Sequence, residues 1–200
     1  MKLYIVRHGE SVNNQEHRFT GWSDAPLNDN GRAQVQRLNE FFKDKDIDCV
    51  FSSDLSRALE TAKTALGVRP ICTTPYLREI NVGRLADRSI NDCYKAFPTL
   101  NEDHKTLDLV KYGGENIQAV NKRIENFLNL LFEKKNQNVA VFSHGTYIKL
   151  LLKYLLEFEI DLTTLKISNC SVIVLEYIDA QWRLCESDFD KNLQEILCTT

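Results

Sequence analysis

Breakers are scarce in this chain. Its 200 residues hold four prolines and eight glycines, too few and too scattered for a flexible linker between separate domains. Cations are not in excess either: 25 Lys and Arg face 28 Asp and Glu, leaving a formal charge of -3. A broad basic face for nucleic acid is thereby excluded, and any anionic ligand must be met by a local cluster of cations. No apolar run approaches the length of a membrane span, and the first apolar stretch is too short for a secretory signal. Neither membrane nor nucleic acid is an expected partner, and the expected location is cytoplasmic. The cysteines, Cys49, Cys72, Cys93, Cys170, Cys185 and Cys198, form no CxxC pair and no Cys-His ligand spacing, so they read as reduced and mostly buried thiols. No internal repeat or low-complexity stretch is visible.

What is present suits one compact domain over residues 1–200, because a chain that is 43% hydrophobic can bury a sizeable core. Its organising stretch is Leu3 to Glu10, Leu-Tyr-Ile-Val-Arg-His-Gly-Glu. The apolar, partly β-branched run suits a buried strand that stops at a cation, an imidazole and a glycine. In open α/β sheets ligands bind beyond the carboxyl ends of strands, where Arg7 and His8 would be delivered, and Gly9 would let backbone approach an anion. The competing reading is a plain strand-to-loop transition.

Further along, Ser11 to Pro26 reads as a long polar loop. Asn28 is a candidate N-cap for a helix to about Lys43, with Ala33, Val35, Leu38, Phe41 and Phe42 on its apolar face. Cys49 to Ser52 is the next strand, and Ser53-Asp54 reads as a helix start that places Arg57 in a first turn. There it either joins an anion site at the helix N-terminus or pairs with Asp54 or Glu60 on the surface. Ile71 to Thr74 is a third strand, leading to Leu77-Arg78-Glu79. From Asn81 to Tyr112 the pattern is irregular and only Ser89 to Phe97 is weakly helical; a connection this long reads as functional or lid-like. An amphipathic helix follows from near Ile117 to about Lys135. Val139 to Phe142 is then a strand that exits through Ser143-His144-Gly145-Thr146 into an apolar helix to about Leu156. Ser171 to Tyr177 and Trp182 to Glu186 form a closing hairpin. Alternating strands and helices predict a three-layer α/β/α sandwich, with a mostly parallel central sheet, an antiparallel pair at one edge and a small lid over about 81–112.

If the strands are parallel neighbours, Arg7 and His8, Arg57, Glu79, and His144 with Gly145 all leave one edge of one sheet. That set suits phosphoryl transfer to an imidazole: a neutral ring nitrogen attacks, guanidiniums neutralise the phosphoryl oxygens, and a carboxylic acid protonates the leaving alkoxide. Metal binding is the rival use of paired histidines. It fits poorly, because Arg7 beside His8 repels a cation and neither histidine has a second ligand at helical spacing. His17 reads as loop and His104 as solvated.

Arg7-His8-Gly9-Glu10-Ser11, Asn14 and Phe19-Thr20-Gly21-Trp22-Ser23-Asp24, with Leu27 and Gly31, resemble the opening signature of the histidine phosphatase (phosphoglycerate-mutase-like) superfamily. Ser52 to Ala58 with Thr61-Ala62, then Leu77-Arg78-Glu79, Gly114-Glu115 and Ser143-His144-Gly145, resemble its remaining motifs in order. The resemblance runs from residue 3 to about 175. It implies an acid-type histidine phosphatase, a phosphoric monoester hydrolase without a cofactor. His8 would be the residue phosphorylated, Arg7, Arg57 and His144 would surround the phosphoryl group, and Glu79 would be the proton donor. Asn14, Thr20, Gly21 and Gly145 would join Arg7 and Arg57 in binding substrate. Two features depart from the family: Val82-Gly83-Arg84-Leu85-Ala86-Asp87 stands where its phosphatases often carry Phe-Gly-x-Trp-Glu-Gly, and the longer insertion of its glycolytic mutases after the acid is missing. The second favours hydrolysis of a small phosphorylated metabolite over mutase chemistry; a phosphate-binding protein without turnover is disfavoured because every residue the reaction needs is present, Glu79 included. The oligomeric state is expected to be a monomer or a homodimer.

Overall fold

The computed structural model describes residues 1–133, 137–157, 162 and 164–187. Strand β1 (Lys2–Arg7) is followed by helices α1 (Val12–Gln15) and α2 (Asp29–Phe42), strand β2 (Cys49–Ser53), helix α3 (Ser56–Leu66) and strand β3 (Cys72–Thr74). Short helices α4 (Ile90–Ala96) and α5 (Leu100–Lys105) precede α6 (Ile117–Glu133), β4 (Asn138–Ser143), α7 (Gly145–Leu156), β5 (Val172–Ile178) and β6 (Gln181–Ser187).

The six strands form one sheet in the order β3-β2-β4-β1-β5-β6. The first four are parallel, and β5 and β6 run antiparallel at one edge. Their alternation assigns each face a layer, since successive side chains on a strand point to opposite sides. Leu3, Ile5, Phe51, Val139 and Val141 pack with Val120, Ile124 and Phe127 of α6 and Ile148 and Leu151 of α7. Tyr4, Val6, Val50, Ala140 and Phe142 pack with Val35, Leu38 and Phe42 of α2 and Ala62 and Ala65 of α3. This is the predicted sandwich. Asp179 and Ala180, both at positive φ, make the two-residue turn between β5 and β6, the backbone twist that tight hairpins favour.

Several local expectations change. The loop from Ser11 to Pro26 contains α1, because Ser11 and Asn14 cap each other reciprocally, a device whose partners lie within four residues. Ser53 and Asp54 do not cap α3, whose N-cap is Leu55; Asp54 instead holds Arg78 through two bonds of 2.7 and 2.6 Å. Residues 81–112 hold α4, α5 and 3-10 turns at Gly83–Leu85 and Val110–Tyr112, and Leu85, Leu100, Leu107, Leu109 and Tyr112 pack into the α6/α7 side of the core. The stretch is anchored by apolar side chains spaced too irregularly to show a period. Among the described cysteines only Cys93 is buried; Cys72 and Cys185 are exposed, and Cys198 lies outside the described residues. The end of the long helix at Lys135 also lies outside them.

Candidate active site

Register places the chemistry. Arg7 is abreast of Ser143 in the parallel β1·β4 pair, so His8 and His144 leave adjacent strands at the same level. Their rings lie 5.0 Å apart, centroid to centroid, and both are buried. β2 neighbours β4, and the turn beyond it delivers Arg57, which is 1% exposed.

The His8 ring is oriented by its own backbone. Nδ1 lies 2.6 Å from Gly9 O, an acceptor only, so Nδ1 carries the hydrogen and Nε2 carries the lone pair. Arg57 Nε donates to that Nε2 at 3.3 Å. Burial, first, and then the Arg57 and Arg7 charges hold the His8 pKa well below its usual value. A buried imidazole beside two guanidiniums stays neutral at physiological pH, the state a nitrogen nucleophile requires. His144 is held neutral likewise by burial and then by Arg57. Its Nε2 meets Ser53 Oγ at 2.8 Å, and its Nδ1 is buried without a partner.

Both guanidiniums are tied to carbonyls. Arg57 donates from Nη1 to Ser23 O at 2.8 Å and from Nη2 to Gly21 O at 2.9 Å; burial lowers its pKa to about 10, which still leaves it charged. Neither Asp54 nor Glu60 pairs with it, since Asp54 binds Arg78 and Glu60 binds Arg32. Arg7 donates to Ile167 O, while its Nε is buried without a partner. Buried polar groups are almost always hydrogen-bonded, and Arg7 Nε and His144 Nδ1 have no partner within the protein. A cavity of about 430 Å³ is lined by Arg7, Glu79, Gly145, Thr146, Lys149 and Lys166, among others.

Glu79 is fixed at the start of α7. Its Oε2 accepts Thr146 N at 3.1 Å, and its Oε1 accepts Tyr147 N at 3.0 Å and Ile80 N at 2.9 Å. The helix N-terminus attracts the carboxylate, and the acid is thereby placed one residue from Gly145. Asn14 Oδ1 accepts Ser11 N and Asn169 Nδ2, and Asn169 Nδ2 also donates to His8 O at 2.9 Å. Gly21 serves through its carbonyl on Arg57; at φ +52 it adopts a left-handed turn where a Cβ would lie 2.6 Å from Val82. Thr20 caps the same turn by accepting Ser23 N through its carbonyl. At Gly9 a Cβ would meet Gly31 O at 2.8 Å, so the missing side chain lets the exit of β1 pack closely on the backbone of α2. His17 is exposed. His104 is half-buried rather than fully solvated; it bonds Tyr94 Oη through Nδ1 at 2.7 Å and stands edge-on to Phe19.

Four supporting residues carry no local sequence signal for their task. Ser53 partners His144. Thr61 Oγ1 accepts Gly9 N at 3.1 Å and donates to Arg57 O at 2.6 Å, joining the two exits. Asn169 holds His8 O, and Arg123 holds the backbone around Glu79. Ser53 falls in a stretch that reads as a helix start, Thr61 enters only as part of the second motif of the resemblance, Asn169 lies in an irregular connection, and Arg123 lies on an amphipathic helix. Among the described residues, no group of three or more His, Cys, Asp or Glu is arranged to hold a metal ion, and no helix is long and apolar enough to cross a membrane.

Two neutral imidazoles and two guanidiniums at the carboxyl ends of parallel strands define a class of α/β enzyme built to receive a phosphoryl group on histidine. The chain belongs to the histidine phosphatase superfamily (branch 1), whose family model matches residues 3–188. Among curated relatives, phosphoglycerate mutase-like protein 4 of Arabidopsis thaliana is 34% identical over 160 residues, covering 74% of this chain and 68% of the relative. Among solved structures, the α-ribazole phosphatase of Shigella flexneri superposes with a TM-score of 0.86 at 25% identity, over 94% of this chain and 96% of that one. A phosphoglycerate mutase from Bacillus anthracis superposes with a TM-score of 0.81 at 26% identity, over 94% and 92%.

Proposed function

We propose that the protein is an acid-type histidine phosphatase, a phosphomonoesterase that hydrolyses a small phosphorylated metabolite through a phosphohistidine at His8. The observation that carries this reading is the His8 ring, held neutral, with Nδ1–H on Gly9 O and the Nε2 lone pair beside the Arg57 guanidinium. In the first step Nε2 attacks phosphorus and the P–O bond to the leaving group breaks. Glu79 gives that oxygen a proton, Arg7 and Arg57 balance the charge on the phosphoryl oxygens, and His144 and the Gly145 amide donate hydrogen bonds to them. Asn14 adds a donor through Nδ2, because its Oδ1 is already engaged. In the second step water attacks phosphorus as the P–N bond breaks, and Glu79 takes a proton from that water. Inorganic phosphate leaves and the imidazole is restored. No metal ion or cofactor enters either step.

Hydrolysis is favoured over mutase chemistry by the short route after Glu79. A Cβ on Gly83 would lie 2.1 Å from Tyr112 O, so the chain that follows the acid packs closely against the backbone near Tyr112, and it lacks the longer insertion of the glycolytic mutases. The relatives named for α-ribazole phosphate and for phosphoglycerate keep both classes of substrate in view. A panel of phosphomonoesters, assayed for released phosphate and for phosphoryl transfer between hydroxyls, separates the two reactions. His8→Ala should abolish turnover, and wild-type protein quenched in alkaline detergent should carry acid-labile, alkali-stable label from substrate at His8. Label on a serine or cysteine would overturn the mechanism.

A further inference from the structure

We propose that Arg123, clamped by Glu115, is a positioning residue that holds the proton donor Glu79 at its working distance from the leaving group; this rests on the role given to Glu79 above. The segment from Arg78 to Val82 lies in no helix or strand, so its carbonyls have no ladder to satisfy them. Arg123 supplies the donors: Nη1 reaches Tyr76 O at 3.1 Å and Arg78 O at 2.8 Å, and Nη2 reaches Glu79 O at 3.2 Å. One rigid guanidinium thus spans three carbonyls across the residue whose carboxylate faces the crevice.

The clamp is locked from behind. Glu115 takes Arg123 Nε and Nη2 at 2.8 Å each, the planar two-bond geometry that fixes a guanidinium in orientation as well as place. The side chains are only 12% and 13% exposed. Glu115 also accepts Asn81 N at 2.8 Å, which binds the segment two residues past the acid. On the other side, the Arg123 guanidinium lies 5.4 Å from the centre of the Tyr147 ring, and Tyr147 N donates to Glu79 Oε1 at 3.0 Å. Trp22 Nε1 donates to the same Glu79 carbonyl at 2.8 Å. Glu79 is therefore held at its carbonyl by Arg123 and Trp22 and at its carboxylate by α7, and Arg123 contacts both supports.

The test is a double-mutant cycle read on two esters. An alkyl phosphate needs its leaving oxygen protonated, whereas p-nitrophenyl phosphate releases a phenolate that needs little help. Arg123→Met should lower kcat on the alkyl ester by about tenfold or more, with less than threefold change on p-nitrophenyl phosphate. In a Glu79→Gln background the same substitution should add almost nothing on the alkyl ester, because the group it positions is gone. Glu115→Gln, which keeps shape and the Asn81 contact, should follow Arg123→Met in direction at smaller amplitude, and it carries the test if Arg123→Met does not fold. Equal losses on both esters, or losses that multiply in the double variant, would overturn the positioning role. If Glu79→Gln alone shows no preference between the esters, the proton-donor assignment fails instead, and the two failures are distinguishable.

Discussion

Arg57→Lys keeps a positive charge in the crevice and removes only the planar fork. In the wild type that fork serves acceptors on three sides: Ser23 O at 2.8 Å, Gly21 O at 2.9 Å and His8 Nε2 at 3.3 Å. An ammonium on a flexible stem is a point charge with a shorter reach, and it can recover one of the two carbonyls at best. A buried acceptor left unmet costs about 1–3 kcal/mol, so the variant should be destabilised by about that much. For a chain of this size the loss corresponds to a fall in melting temperature of roughly 2–12 °C. The catalytic effect should be larger. Arg57 Nε is the donor nearest the attacking nitrogen, and removal of one preorganised donor to a transition-state anion lowers kcat by about 10²- to 10³-fold. Rapid-quench measurement of phosphoenzyme formation on an alkyl phosphate, with a urea melt on the same preparation, separates the two effects. A kcat within threefold of wild type in a folded variant would refute the assignment. A raised KM with unchanged kcat would reduce Arg57 to ground-state binding.

Two further outcomes follow from the charges. Burial depresses the folded-state pKa values of His8, His144 and His104, so below the unfolded value of about 6.5 the unfolded chain binds protons that the folded chain refuses. Stability should be constant above about pH 6.5 and fall as pH drops below it, by up to about 1.4 kcal/mol per pH unit for each imidazole. Urea midpoints between pH 8 and pH 5 measure this, and a constant midpoint across the range would contradict the burial argument. Activity should survive incubation with a strong chelator, since arginines neutralise the phosphoryl oxygens here; loss of activity restored only by a particular divalent ion would assign that role to a metal.

Much of the fold was legible because its signals are local. Helical spacing of apolar residues, Asn28 as the cap of α2 and the hairpin turn near Asp179 act over a few residues, and the structure places those elements within one or two residues of expectation. The residues proposed for the chemistry could be picked out too, because His8, Arg57, Glu79 and His144 each follow a recognisable strand. That these exits converge depends on strand order and parallel register, which short apolar runs such as Val139 to Phe142 suggest without specifying.

The supports of the site belonged to tertiary structure alone. The Ser53 bond to His144 spans 91 residues and the Asn169 bond to His8 spans 161. Arg123 reaches carbonyls 44 to 47 positions earlier. Arg57 shows the division most clearly. Its place in the first turn of α3 was set by its neighbours in sequence, but its choice between a surface ion pair and the crevice was not. That was settled when Arg78 and Arg32 took the two carboxylates and the loop around Gly21 offered carbonyls in a space that excludes water. A hydrogen bond between distant residues leaves no period in the chain, because its energy is realised only after the sheet has brought the partners within reach.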